Sequence, residues 1–333
     1  MSSQVTDTQP TKGGPEAHPG DQHEIPGFEE HGSFASLKDR IKLHYNVASD
    51  YYYSLWGQHI HHGYFRSPSE TKEEAQVNLI KYLLELSVLP KSSNVLDVGC
   101  GIGGTSRYLA KEQGCNVTGV TISGRQVEIA KRLTLAENPT PETNASAEAL
   151  PCPPGSVRFI ELDAEKMLEY FSSNAGGKPE KGFDCVWISE ALSHFPNKPL
   201  FFSSSFELLA AGGTSRLVIA DWFKAPNLTE EQDKSDIKPI EDGMLLPPLC
   251  TADDYVEMAT KAGFKVSKGP VDISKDVAKT WDISWSLVSS PSLWAFAISQ
   301  GRDGLAFLQA FRAMRRGYAN GTFRYALIVF EKP

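Results

Sequence analysis

At 333 residues the chain can form one large domain or two small ones around a sizeable core. Its formal net charge of -8, from 41 acidic against 33 basic side chains, argues against a general binder of nucleic acid or of anionic membranes. No apolar run reaches membrane-spanning length and no signal-peptide core opens the chain, so integral membrane association is not expected. Five cysteines (Cys100, Cys115, Cys152, Cys185, Cys250) are odd in number, scattered and without metal-ligand spacing. Three of them fall in or beside predicted strands and read as packed thiols, which predicts a reducing, cytoplasmic setting with no metal site.

Residues 1–33 are rich in Gly, Pro, Ser, Thr, Gln and His and poor in aliphatic side chains. Such a segment cannot bury enough surface to offset its ordering entropy, so a disordered tail is predicted. Residues 34–90 read as a helical, aromatic-rich cap in which Leu79, Ile80, Leu83, Leu84 and Leu86 mark a helix packed on the core. From Asn94 strands and helices alternate, which predicts a parallel sheet covered on both faces. Strands are expected at 94–98, 116–121, 157–162, 183–188 and 214–220, with helices at about 105–113, 124–137 and 198–211. The stretch 138–155, with five prolines, reads as an irregular loop. The core is thus placed at 91–222. A lid and substrate segment at 223–320 follows, with helices at 251–262, 277–300 and 303–318, and a last strand lies within 321–333.

The most informative run is Asn94 to Gly104, a buried strand ending in Asp97 and then four glycines in six positions before a helix start. Glycine lets the backbone pass close to a ligand, and a helix N-terminus behind it suits an anionic group. Gly99, Gly101 and Gly104 satisfy the dinucleotide spacing, yet no carboxylate closes the second strand at Thr121-Ile122-Ser123 for a ribose. Asp97 beside the turn suits a cofactor with an ammonium, which favours S-adenosylmethionine over NAD. A tight turn without a ligand is the plainer alternative.

Asp97-Val98-Gly99-Cys100-Gly101-Ile102-Gly103-Gly104 resembles the first motif of the class I methyltransferases. Gly119 to Ser123 with Gln126 is similar to the tocopherol, sterol and cyclopropane-fatty-acid group, which lacks the ribose carboxylate. Leu162-Asp163-Ala164-Glu165 resembles the adenine motif, and Phe183 to Trp187 with Glu190 and His194 resembles the fourth strand and its loop. Tyr45-Asn46, Trp56-Gly57 and His61-His62-Gly63-Tyr64 look like the cap of that group, and Leu246 to Thr251 and Arg316 to Phe330 are similar too. The likeness runs over about 36–333. It implies an α/β, Rossmann-like class I fold: a seven-stranded, mostly parallel sheet with helices on both faces, a helical lid and an antiparallel last strand.

Open sheets of this kind bind ligands beyond the carboxyl ends of their strands. Asp97 to Gly101, Thr121, Asp163, Ile188 to His194 and Asp221-Trp222 are expected to converge there. Gly99, Gly101 and Gly103 would admit the methionine tail and ribose. Asp97 would balance the ammonium, or else cap a turn. Thr121 and Gln126, with Ile122 beside them, are candidates for the ribose hydroxyls, or ordinary turn residues. Asp163 could accept from the adenine amino group with Ala164 leaving room, or cap the following helix. Ser189 and Glu190 complete the cofactor set. Tyr45 and Tyr64 are placed near the sulfonium, where aromatic faces attract a cation, or in cap packing. His59, His61 and His62 lack supporting ligands for a metal, and the resemblance places their segment beside the cofactor.

Trp281, Trp285, Trp294 and Phe296 suggest an aromatic substrate wall, with plain core as the alternative; Phe307, Phe311, Met314 and Tyr318 read as core. His194 is the candidate base for an acceptor that must lose a proton, or a substrate-orienting group, with Glu190, Asp221 and His62 behind it. The expected activity is methyl transfer to a hydrophobic or aromatic small molecule of secondary metabolism, oxygen ahead of nitrogen and then carbon. The methyl acceptor is then the expected partner, with no nucleic acid. An NAD-dependent oxidoreductase, a lipid-acting cyclopropane-type enzyme and a repurposed fold without methyl transfer remain as alternatives.

Overall fold

The computed structural model describes Lys42, Ser49, Tyr53 and residues 57–139, 148–173, 176–288 and 302–333, with backbone alone at 285–288 and 302–308. The predicted tail at 1–33, Tyr45, Trp294 and Phe296 lie outside the described residues, and of Trp285 and Phe307 the side chains do.

A mixed sheet organises the chain. Its strands are β1 (Asn94–Val98), β2 (Asn116–Thr121), β3 (Leu150–Cys152), β4 (Gly155–Glu161), β5 (Cys185–Ser189), β6 (Arg216–Lys224), β7 (Lys265–Asp272) and β8 (Phe323–Glu331). Their order is β3-β4-β2-β1-β5-β6-β8-β7. The five strands from β4 to β6 run parallel, and β3, β8 and β7 are antiparallel to their neighbours. The sheet therefore has eight strands where seven were expected. The three-residue β3 lies in the stretch read as irregular, and β7 falls where no strand was assigned. In β7 most residues are exposed and the register shifts twice around Gly269-Pro270. An edge strand with a proline and without an apolar alternation leaves little periodic signal.

Helices α1 (Lys72–Ser87), α2 (Gly104–Gln113), α3 (Gly124–Glu137), α4 (Met167–Ser172), α5 (Lys198–Leu208), α6 (Lys238–Gly243), α7 (Ala252–Lys261), α8 (Lys279–Val288) and α9 (Arg302–Asn320) cover it. Alternation along the strands sends Val95, Val117 and Trp187 to a core with Leu79, Leu83, Leu109 and Met314. Leu96, Val98 and Val186 face a second core with Phe171, Phe202 and Tyr255. Central strands buried on both sides in this way explain the nearly continuous apolar runs in the sequence. Local signals set the helix starts: Thr71 and Glu74 form a capping box on α1, and Ser123 caps α3 through Gln126 N.

Strand β6 runs to Lys224, past the predicted end at 220, because it pairs with β8 along its whole length. Asp221 is thus inside a strand, one residue beyond Ala220, which stands opposite Ser189 at the end of β5.

Candidate active site

At the carboxyl ends of β1, β2, β4 and β5 lies a cleft of about 1120 Å³, its open mouth included. Asp97, Gly99, Gly101, Thr121, Ile122, Gln126, Asp163, Ala164, Ser189, Glu190 and His194 line it. Residues from four strand ends, distant in sequence, are brought together here.

The glycine turn is built for close approach. Gly99, Gly101 and Gly103 all have positive φ, and the main-chain N–H groups of Gly99 and Cys100 donate to the Val120 carbonyl at 2.8 and 3.0 Å. A Cβ at Gly101 would meet no atom within 4 Å, so the space over that residue belongs to the cleft. Gly103 lies outside the lining; a Cβ there would fall 2.5 Å from the Phe159 ring, so its lack of a side chain serves packing under α2. Tyr64 also lies outside the lining, stacked on Tyr82 of α1 with ring centroids 5.0 Å apart.

Asp97 is 3 % exposed and accepts from Ser106 Oγ at 2.6 Å. Burial pushes its carboxyl up to about 6 against that one hydrogen bond. Thr121 Oγ1 donates to Gln126 Oε1 at 2.5 Å, so the two candidate ribose residues form one unit at the end of β2. Asp163 Oδ1 accepts from Glu165 N at 3.0 Å, which is the helix-capping role, while the residue also lines the cleft.

Glu190 follows β5 with φ of +54°, a left-handed conformation that costs a non-glycine residue about 1–2 kcal/mol. Burial works against its charge, but His62 beside it, with its ring and main-chain hydrogen bonds, holds the carboxyl below its usual range. The loop after it is pinned from below. Asp221 accepts from Ser193 N at 2.7 Å and from the Tyr255 hydroxyl at 3.1 Å, and Lys198 Nζ donates to the Ser193 and Phe195 carbonyls at 3.2 and 3.0 Å. Burial pushes the Asp221 carboxyl up to about 6. His194 lines the cleft beside Trp222, with ring centroids 6.2 Å apart. Trp281 lies outside the lining, buried edge-on against Phe311 at 4.9 Å, and Met314 is fully buried near it.

His59, Ile60 and His61 also line the cleft, at the edge where the resemblance placed the histidine segment. Gln76 of α1 holds this segment by donating to the His59 and His61 carbonyls at 2.6 and 3.0 Å. Arg107 of α2 ties it to the glycine turn, donating to Gln58 Oε1 at 2.6 Å and to the Ile102 carbonyl at 2.7 Å. Burial first, then His61 and Arg107, drives His59 well below the usual histidine range. Burial likewise lowers His61, whose Nδ1 lies 2.8 Å from the His62 carbonyl and so carries the proton of the neutral ring. No spacing rule joins residues 59–61 to a turn forty positions on, so the resemblance of the cap was the signal that placed them there.

Four carboxyl groups (Asp97, Asp163, Glu165, Glu190) and no lysine or arginine line the cleft among the described residues. A glycine turn for close approach inside an acidic wall fits a cofactor with an ammonium and a sulfonium better than one with a pyrophosphate.

Comparison with known proteins agrees. The family model of mycolic acid cyclopropane synthetases matches residues 34–146, and a general methyltransferase domain model matches 96–217. A chloroplastic tocopherol O-methyltransferase of Arabidopsis thaliana is 28 % identical, covering 90 % of this chain and 84 % of its own length. A 2-methyl-6-phytyl-1,4-hydroquinone methyltransferase of Synechocystis is 36 % identical over 50 % of this chain and 45 % of its own. Among solved structures, the mycolic acid cyclopropane synthase CmaA1, complexed with S-adenosylhomocysteine, shares the fold with a TM-score of 0.69 at 20 % identity, over 92 % of this chain and 99 % of that one.

Proposed function

We propose that this chain, which belongs to the class I S-adenosylmethionine-dependent methyltransferases of the tocopherol and sterol group, methylates a hydrophobic or aromatic small molecule of secondary metabolism, at oxygen in preference to nitrogen or carbon. The observation that carries the cofactor half of this reading is the acidic, glycine-floored cleft at the strand ends. The acceptor half is supported by relatives named for tocopherol and for a phytyl hydroquinone.

Bound in the cleft, S-adenosylmethionine supplies an electrophilic methyl group on a sulfonium. Asp97 takes the ammonium, Thr121 and Gln126 the ribose hydroxyls, and Asp163 the adenine amino group, with Gly99 and Gly101 admitting the backbone approach. Ile122, Ala164 and Ser189 shape the walls around these contacts, and Glu190 adds charge. The chain's main contribution is alignment and exclusion of water, which can account for about 7–11 kcal/mol of barrier in well-oriented systems. His194, which lines the cleft and whose ring lies near Trp222, would receive the proton of an acceptor hydroxyl. The core at 91–222 holds the donor in this reading, and the segment 223–320 covers the acceptor.

Among the described residues no helix is long and apolar enough to cross a membrane. All five cysteines are free thiols, in keeping with a reducing cytoplasmic setting.

The test is transfer from trideuteromethyl cofactor to a panel of lipophilic phenols, amines and sterols, with the product located by mass spectrometry. The reading expects label on the oxygen of an uncharged phenol-type acceptor and its loss in His194→Gln. Label only on carbon, or undiminished turnover in His194→Gln, contradicts the acceptor atom or the base.

A further inference from the structure

Behind the cleft wall lies a buried polar cluster that reaches the cleft through Glu190 and whose other members have no part in the reading above. Glu190 is its only member that lines the cleft. The carboxylate accepts three hydrogen bonds: from His62 N at 2.7 Å and the Tyr325 hydroxyl at 2.8 Å on Oε1, and from His62 Nδ1 at 2.9 Å on Oε2. His62 is 3 % exposed, and its ring packs on Tyr325 and Trp281 with centroids 5.0 and 5.2 Å away. Tyr325 is the third residue of β8, paired with Trp222 of β6, and is fully buried, so its hydroxyl is held by the sheet itself. Donors fixed in this way stabilise a negative charge without reorganising when a ligand arrives.

We propose that His62 is a positioning residue which, with Tyr325, keeps Glu190 an anion facing the methyl donor, so that the cleft prefers the cationic donor over its neutral demethylated product. The inference rests on the cofactor reading above. S-adenosylmethionine and S-adenosylhomocysteine share the adenosine, the ammonium and the carboxylate, and differ in the sulfonium charge. Asp97, matched to the ammonium, acts on both alike. A second, preorganised carboxylate is what can tell them apart, and the same preference would help the product leave.

The experiment is calorimetric titration of both ligands into the full chain and its variants. In Glu190→Gln and His62→Phe, the preference for S-adenosylmethionine over S-adenosylhomocysteine is expected to fall about tenfold relative to wild type, which is about 1.4 kcal/mol. Tyr325→Phe, which removes one hydroxyl from a buried ring, is expected to lose less. His62→Asn, whose amide can donate where Nδ1 does, is expected to keep most of the preference. Asp97→Asn is expected to weaken both ligands equally, and the double variant His62→Phe/Glu190→Gln to fall no further than Glu190→Gln alone. A ratio unchanged in Glu190→Gln and Tyr325→Phe, with both ligands still bound, would overturn the inference and leave the cofactor reading intact. Failure of both ligands to bind the wild-type chain would overturn the cofactor reading, and this inference with it.

Discussion

Two carboxylates in one cleft sit in opposite environments, and the contrast separates their roles. Glu190 has three donors and a depressed pKa, whereas Asp97 has one donor and a carboxyl raised to about 6. A raised carboxyl favours the folded state while protonated, so Asp97's contribution is fully present below the unfolded value of 3.8 and is lost as pH rises through about 6. In the ligand-free protein that loss is on the order of 3 kcal/mol by neutral pH. An arriving ammonium needs the ionised form. Affinity for S-adenosylmethionine is therefore expected to fall as pH is lowered through 6 in the wild type, and to stay flat in a weaker-binding Asp97→Asn. A wild-type affinity indifferent to pH between 5 and 7 would remove Asp97 from the ammonium site.

Residue identity at such strand ends was legible in sequence because each belongs to a short motif beside a buried strand. Eleven of the predicted site residues line the cleft. The partners that set their charge were not legible, since His62 and Tyr325 lie 128 and 135 positions from Glu190.

Among the elements, the glycine turn and the segment before α1 act as a pair. A Cβ at Gly104 would fall 2.1 Å from the Gln58 carbonyl oxygen and 2.8 Å from His59 Nδ1. Gly104→Ala must therefore push the 57–61 segment off the start of α2, at about 1–3 kcal/mol for overpacking a fitted contact. The expected result is a lower melting temperature together with weaker cofactor binding, read by thermal unfolding with and without S-adenosylhomocysteine. A variant with wild-type stability and affinity would show that the segment does not bear on the site. Strands β1 and β2 and helices α2 and α3 were read almost to the residue, because buried parallel strands and capped helices carry strong local patterns. Strand β7 was missed because its hydrogen bonds to β8, not its side chains, hold it in the sheet.

For the molecule as a whole, the sheet sets the chemistry. Parallel β1, β2, β4 and β5 point their carboxyl ends the same way, and β6 paired with β8 carries the wall behind Glu190 and His194. Composition and alternation gave this α/β architecture, whereas the eighth strand and the packing of residues 57–61 over the turn needed three dimensions.

The account's central claim is that this strand-end cleft is an S-adenosylmethionine site, and titration of S-adenosylmethionine and NAD into wild type and Gly101→Trp tests it most directly. Gly101 has φ of +54° and open space over its Cβ position, so the indole would occupy the cleft at a folding cost of about 1–2 kcal/mol from the backbone. The account predicts that the wild type binds S-adenosylmethionine and not NAD, and that Gly101→Trp stays folded and binds neither. NAD binding by the wild type, or undiminished S-adenosylmethionine binding by folded Gly101→Trp, would contradict it.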